Sequence, residues 1–180
     1  RIVQAQHEIS QGLLRTSDEI RLHIPELDPA FDGIKIQHLL NMNSTIYDVG
    51  TGNQTATSYD MLNSLKQEGP FGVVAAEQPV GTVFKYTNMN YVLLAIIVER
   101  VSKQSFSAFA RILDKLGMNE TIIHDDAGIV VPHQPNGYDG SLALWSTATS
   151  TSPAFGSTGV VTTLRDLVKW NQNFYTNKLG

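Results

Sequence analysis

A mainly helical domain of the α+β class is predicted by three features of the 180-residue sequence. Apolar residues recur at helical spacing in about five stretches, Thr, Ser or Asn stands before several of them, and strand-like patterns are confined to short pieces. Hydrophobic residues make up 42% and charged residues 17%, enough apolar material for one buried core and too much for a disordered chain. A single domain over residues 1–180 is therefore expected.

The elements follow in order. Ile2, Ala5, Gln6, Ile9 and Leu13 keep helical spacing from the first residue, with no capping residue ahead of them, so a helix already under way at residue 1 and ended by Gly12 is expected. Thr16, Ser17, Asp18, Pro25 and the Asp28-Pro29 pair predict an irregular, extended connection. Ile36, Leu39 and Leu40 predict a short helix, and the polar run Asn41–Thr57, with Gly50 and Gly52, predicts a long surface loop.

Thr57 and Asp60 have the spacing of a capping box ahead of a helix with Leu62 and Leu65 on its buried stripe, stopped by Gly69-Pro70. From Asn88 to Val101 nearly every position is apolar, which predicts a helix buried at the centre of a helical lobe and starting at Asn88. Phe84, Tyr91, Leu93, Leu94 and Ile97 are expected in the core. Ser105 can cap a helix carrying Phe106, Phe109, Ala110 and Leu113, stopped at Leu116-Gly117. Residues 122–159 break into short apolar pieces among Gly, Pro, Ser and Thr, consistent with loops and small strands. Thr163 and Asp166 mark a last helix start, and Leu164, Leu167, Val168, Asn171 and Phe174 trace its mostly apolar stripe.

Composition narrows the function. With 13 Lys+Arg against 17 Asp+Glu and a net charge of −4, there is no basic surface to replace phosphate counterions, so nucleic acid is not an expected partner. The longest apolar run, Tyr91–Val98, is less than half of the roughly 20 residues a bilayer crossing needs, so no transmembrane segment is expected. Cysteine is absent, which removes thiol nucleophiles, disulfides and thiolate metal sites. His7, His23, His38, His124 and His133 are scattered and form no ligand pair at helical spacing, and Gly50-Thr51-Gly52 lacks the rest of a nucleotide-binding loop, so no metal or cofactor is expected. His124-Asp125-Asp126 with His133 reads as solvated polar loop.

What remains is Gly81-Thr82-Val83-Phe84-Lys85-Tyr86-Thr87-Asn88-Met89-Asn90-Tyr91, running into the buried helix and then to Leu116-Gly117-Met118-Asn119-Glu120-Thr121. This stretch resembles the serine β-lactamase and penicillin-binding-protein family, on its class C β-lactamase and esterase branch, where a Tyr-x-Asn loop precedes such a helix. Ile36-Gln37-His38-Leu39-Leu40 through Ser44 is similar to that family's helix and active-site rim, and Gly159–Asp166 to its later helix start. The matching segments keep the family's order across almost the whole chain.

The resemblance implies the helical lobe of a β-lactamase/transpeptidase-like fold, with most of the α/β sheet domain missing from these 180 residues. It implies serine-hydrolase acyl transfer, on a β-lactam, a D-amino-acid peptide or a small ester, with no cofactor and with a periplasmic or secreted location. Acyl transfer needs a nucleophile relieved of its proton, a group to protonate the leaving atom and donors for the oxyanion. By resemblance Tyr86 is the proton-relay phenol and Asn88 the amide that orients substrate, both catalytic, and Asn43 and Ser44 are substrate-binding residues of the rim. A phenol titrates near 10, about three units above neutrality, so that role requires cations nearby, at a cost of about 4 kcal/mol without them. Lys85, adjacent in an extended loop, points to the opposite side and is a poor source of that charge.

The sequence also departs from the family. No serine is followed three residues later by lysine, and neither Lys-Thr-Gly nor His-x-Gly occurs. The resemblance places the first motif just upstream of residue 1 and the second beyond Gly180, so the 180 residues alone are expected to be inactive. The alternative is a non-catalytic peptide- or protein-binding module derived from the same fold. Asn41-Met42-Asn43-Ser44-Thr45 stands where the family often has His-Thr-Ser-Gly, which leaves substrate preference at the rim open.

Overall fold

The computed structural model of the chain describes residues 12–49, 57–66, 79–124, 131–133, 135, 137–141, 144–148 and 156–179. Its helices are α1 (Ile20–His23), α2 (Ile36–Leu40), α3 (Ser58–Lys66), α4 (Asn88–Ser102), α5 (Phe106–Ala110) and α6 (Leu164–Thr176). Two 3-10 turns, Pro29–Phe31 and Arg111–Leu116, extend them, and the strands are β1 (Ile122–Ile123), β2 (Gly137–Ser141), β3 (Leu144–Ala148) and β4 (Val160–Val161). The expected helix at the start of the chain, the glycines at 50 and 52, and the Gly69-Pro70 stop lie outside the described residues.

The architecture is built around α4. Every side chain from Met89 to Val98 except Tyr91 is buried, and Leu93, Leu94, Ile96 and Ile97 each contribute about 1.5–3 kcal/mol by leaving water. α1, α2, α3 and α5 pack against it. Its N-cap is Thr87, one residue before the expected start: the extended backbone there (φ −151°, ψ 137°) turns the buried hydroxyl to accept from the Met89 N–H. Asn88 is the first helical residue, as expected, and its side chain is left free for other partners. The capping box of α3 forms as expected, with Thr57 N donating to Asp60 Oδ2 at 2.9 Å and Asp60 N to Thr57 Oγ1 at 3.1 Å. Ser105 caps α5 by accepting from Ala108 N at 3.2 Å.

Sequence expectations are corrected at several places. The connection before α2 is more ordered than an irregular, extended strap: Ile20, Ile24, Leu27, Phe31, Ile34 and Ile36 are all buried against the core, and Pro25 and Pro29 break their spacing into pieces that conceal the pattern. Phe84 is 71% exposed rather than in the core. Its loop is fastened by main-chain hydrogen bonds, Gly81 N to Asn43 O and Lys85 N to Met42 O, both 2.8 Å, and these need no buried Phe84 side chain.

The strands form two antiparallel ladders, β1 with β4 and the hairpin β2–β3. α6 starts as expected, Thr163 Oγ1 accepting from Asp166 N at 3.3 Å. Its stripe, however, faces outward, with Leu164 84% and Phe174 69% exposed. The buried face carries Asp166, whose carboxylate takes the Glu120 N–H and the Thr121 hydroxyl at 2.9 Å and the Lys169 ammonium at 2.8 Å. Burial raises this carboxyl's pKa, but those donors outweigh it and hold the group below its ordinary value. No described helix is long and apolar enough to cross a membrane.

The C-terminal half of α4 carries an ion pair to the loop after α1. Arg100 donates to both oxygens of Glu26, at 2.9 Å to Oε2, and to the His23 carbonyl at 3.0 Å. The Arg100 guanidinium brings the Glu26 pKa from 4.5 down to about 2. Folding therefore favours the ionised form, and the stability this pair supplies is complete above the unfolded pKa near 4.5 and lost as pH falls toward 2. Because the pair is partly open to solvent, its worth is about 1 kcal/mol or less. Glu26→Gln is accordingly expected to lower stability at pH 7 and to change it little near pH 2, as denaturant titrations at the two pH values would show.

Candidate active site

Three segments converge at the N-terminal end of α4. The loop before the helix carries Tyr86, 65% exposed, whose hydroxyl donates to Asn88 Oδ1 at 3.2 Å. Residues 42–48 run alongside, tied to that loop by the two main-chain bonds at Met42 and Asn43. Beneath them Asn90, fully buried, accepts the Ser44 hydroxyl on Oδ1 and places Nδ2 3.1 Å from Met42 Sδ. The last segment is 156–159. Met42, Tyr86, Asn88, Tyr91 and Ser157 enclose a cleft of about 100 Å³, smaller than the roughly 300–1,000 Å³ of whole-ligand pockets and suited to one group of a substrate.

Glycine brings the last segment in. Gly156 has φ +90°, and a Cβ there would lie 2.3 Å from the Tyr91 carbonyl oxygen and 2.6 Å from the Ala95 Cβ. Only glycine lets the chain lie directly on the α4 backbone, which sets Ser157 beside Tyr91 and Tyr86.

Of the four residues expected from the sequence, Tyr86 and Asn88 lie together on the cleft and touch each other. Ser44 is buried, with its hydroxyl bonded to Asn90 and accepting from Ile46 N at 3.2 Å. Asn43 is half-buried and reaches the Gly81 carbonyl through Nδ2 at 3.4 Å. Neither lines the cleft; both stand behind it and fix the rim's path. That path is strained, since Met42 (φ +53°) and Thr45 (φ +60°) bracket the pair in the left-handed region, at roughly 1–2 kcal/mol for each.

Lys85 sets its ammonium over the Tyr47 ring, 5.6 Å from the centroid. Asp48 was not expected at the site. Its Oδ2 accepts from Asn88 Nδ2 at 3.2 Å and from Asn88 N at 3.4 Å. A carboxylate 40 residues upstream in a polar loop has no periodicity to mark it; only the aspartate's preference for helix N-termini hints at the contact. Met42 and Ser157 were also not expected to line the cleft, the one lying in a polar run read as surface loop and the other being one of many loop serines.

A family model described as Beta-lactamase matches residues 4–178. Penicillin-binding protein 4* of Bacillus subtilis (strain 168) is 29% identical over 124 residues, which is 64% of this chain and 26% of that protein. Among solved structures, the octameric penicillin-binding protein homologue from Pyrococcus abyssi superposes with a TM-score of 0.78 at 19% identity, over 97% of this chain and 42% of that one. The D-amino acid amidase from Ochrobactrum anthropi SV3, complexed with L-phenylalanine amide, also gives 0.78, at 22% identity, over 99% of this chain and 53% of that one. The chain thus spans about a quarter of the length of the sequence relative and about half of each structural one, and the fold is shared across nearly all of it.

Proposed function

The chain belongs to the Beta-lactamase family, and from that premise we propose that it carries part of the active site of a serine hydrolase that transfers acyl groups from an amide or ester through an acyl-enzyme. The observation that carries the reading is the contact of Tyr86 with Asn88 on an open cleft at the end of the central helix. In this reading the 180 residues act as one domain. Tyr86 moves the proton between nucleophile and leaving group, and Asn88 holds the phenol and orients the substrate amide. Asn43 and Ser44 serve the substrate through the rim, Asn43 by anchoring the Gly81 loop and Ser44 by pinning residues 42–46 to Asn90. The reading requires a nucleophilic serine and its lysine, which no Ser-x-x-Lys motif among these residues supplies.

The geometry favours a small acyl group at the cleft. Tyr91 and Met42 offer apolar surface and Ser157 a hydroxyl beside the Tyr86–Asn88 pair, which suits the side chain of a D-amino-acid amide or the acyl part of a β-lactam or small ester. The test is a hydrolysis panel on the intact gene product with a chromogenic β-lactam, a D-amino-acid p-nitroanilide and a p-nitrophenyl ester. Saturable turnover of at least one is the expected result. Saturable binding of a peptide with no turnover of any would overturn it in favour of a non-catalytic module.

A further inference from the structure

We propose that Asp48 is a positioning residue that fixes which end of the Asn88 side-chain amide faces Tyr86; the proposal rests on the reading of Tyr86 and Asn88 as catalytic. A side-chain amide presents a donor at one end and an acceptor at the other, and nothing in its own shape selects between the two orientations. The partner at the far end decides. An ionised carboxylate only accepts, so Asp48 Oδ2, 3.2 Å from the amide, requires Nδ2 on its side and sends Oδ1 toward the Tyr86 hydroxyl at 3.2 Å. The phenol must then donate to Asn88, which fixes where its proton lies and leaves the phenolic oxygen's acceptor sites open to a second donor.

The same oxygen of Asp48 stands 3.4 Å from the Asn88 backbone N–H, one of the N-terminal amides of α4 without an intrahelical acceptor, where the helix dipole favours negative charge. Backbone and side chain of one residue are thereby held by one carboxylate. Reversal of the amide would set Asn88 Oδ1 against the Asp48 carboxylate, two acceptors facing each other at the position of the present bond. The reversed form is therefore a minor state while Asp48 is ionised.

Asp48→Ala and Asp48→Asn in the intact gene product separate this role from simple capping. The alanine variant removes the selector. The asparagine variant keeps a cap for the backbone N–H, but its own amide can turn, so both orientations of Asn88 become available. Two readouts are needed: the Asn88 side-chain NH2 signals in a ¹⁵N spectrum, assigned through Asn88→Asp, and kcat and KM separately. Expected are displaced Asn88 NH2 signals in the alanine variant, with kcat down about 10-fold and KM nearly unchanged, and intermediate values for the asparagine variant. Thermal melts of both variants identify any loss due to unfolding, and the asparagine variant, which keeps shape and cap, carries the test if the alanine variant does not fold. Unmoved NH2 signals, or full kcat in both variants while Tyr86→Phe is impaired, would overturn the proposal. Full activity of Tyr86→Phe would instead overturn the catalytic reading, and the NH2 signals alone would then decide the role of Asp48.

Discussion

Tyr86→Phe in the intact gene product is expected to lower kcat/KM for acyl transfer by roughly 10²-fold or more, about 2.7 kcal/mol of transition-state stabilisation. The substitution removes one oxygen from a side chain that is 65% exposed and whose hydroxyl meets Asn88 Oδ1. Little stability is at stake, because no buried polar group loses its partner: Asn88 is half-buried and Oδ1 can accept from water in place of the phenol. An unchanged melting temperature with a collapsed rate is therefore the signature of a proton-relay role. If Tyr86 only completed the cleft wall, KM would change and kcat would hold. Steady-state kinetics on the substrate turned over best in the hydrolysis panel, with a melt alongside, separates these cases.

Gly156→Ala is expected to destabilise the fold by about 2–5 kcal/mol, the sum of a left-handed backbone forced on a residue with a Cβ and the overpacking it brings. The new methyl would meet the Tyr91 carbonyl oxygen at 2.3 Å and the Ala95 Cβ at 2.6 Å. Both belong to the central helix, which is buried from Met89 to Val98 except at Tyr91 and cannot step aside without moving Leu93, Leu94 and Ile97. Either the 156–159 segment lifts off, taking Ser157 from the cleft, or the helix shifts. Denaturant unfolding followed by helical circular dichroism measures the loss. A fall of less than 1 kcal/mol would mean that the segment is not seated on α4 as described.

Much of this fold is legible in the sequence, for identifiable reasons. α4 announces itself because a helix buried on all sides needs apolar residues at nearly every position, and Met89–Val98 supplies them. α3 and α6 are marked by Thr-x-x-Asp caps whose geometry is local. Tyr86 and Asn88 stand two residues apart, so a single loop turning into a helix suffices to bring them together.

What is hidden depends on contacts distant in sequence. Periodicity gives α6 an apolar face but does not say which face is covered, and the buried one is held by Asp166 with Lys169, Thr121 and the Glu120 amide. Ser44 reads as a rim hydroxyl until Asn90, 46 positions away, is found holding it in the interior. Asp48 and Ser157 reach the site from 40 residues before Asn88 and from a segment held down by one glycine, neither of which leaves a periodic trace.

The most direct test of the proposed chemistry is the intact mass of the gene product during brief incubation with a β-lactam, a D-amino-acid ester and a p-nitrophenyl ester, for the wild type and Tyr86→Phe in parallel. A single acyl adduct with at least one donor, forming on a serine and roughly 10²-fold more slowly in the variant, is the predicted result. No adduct with any donor, or equal rates in the two proteins, would contradict a catalytic site built on Tyr86 and Asn88.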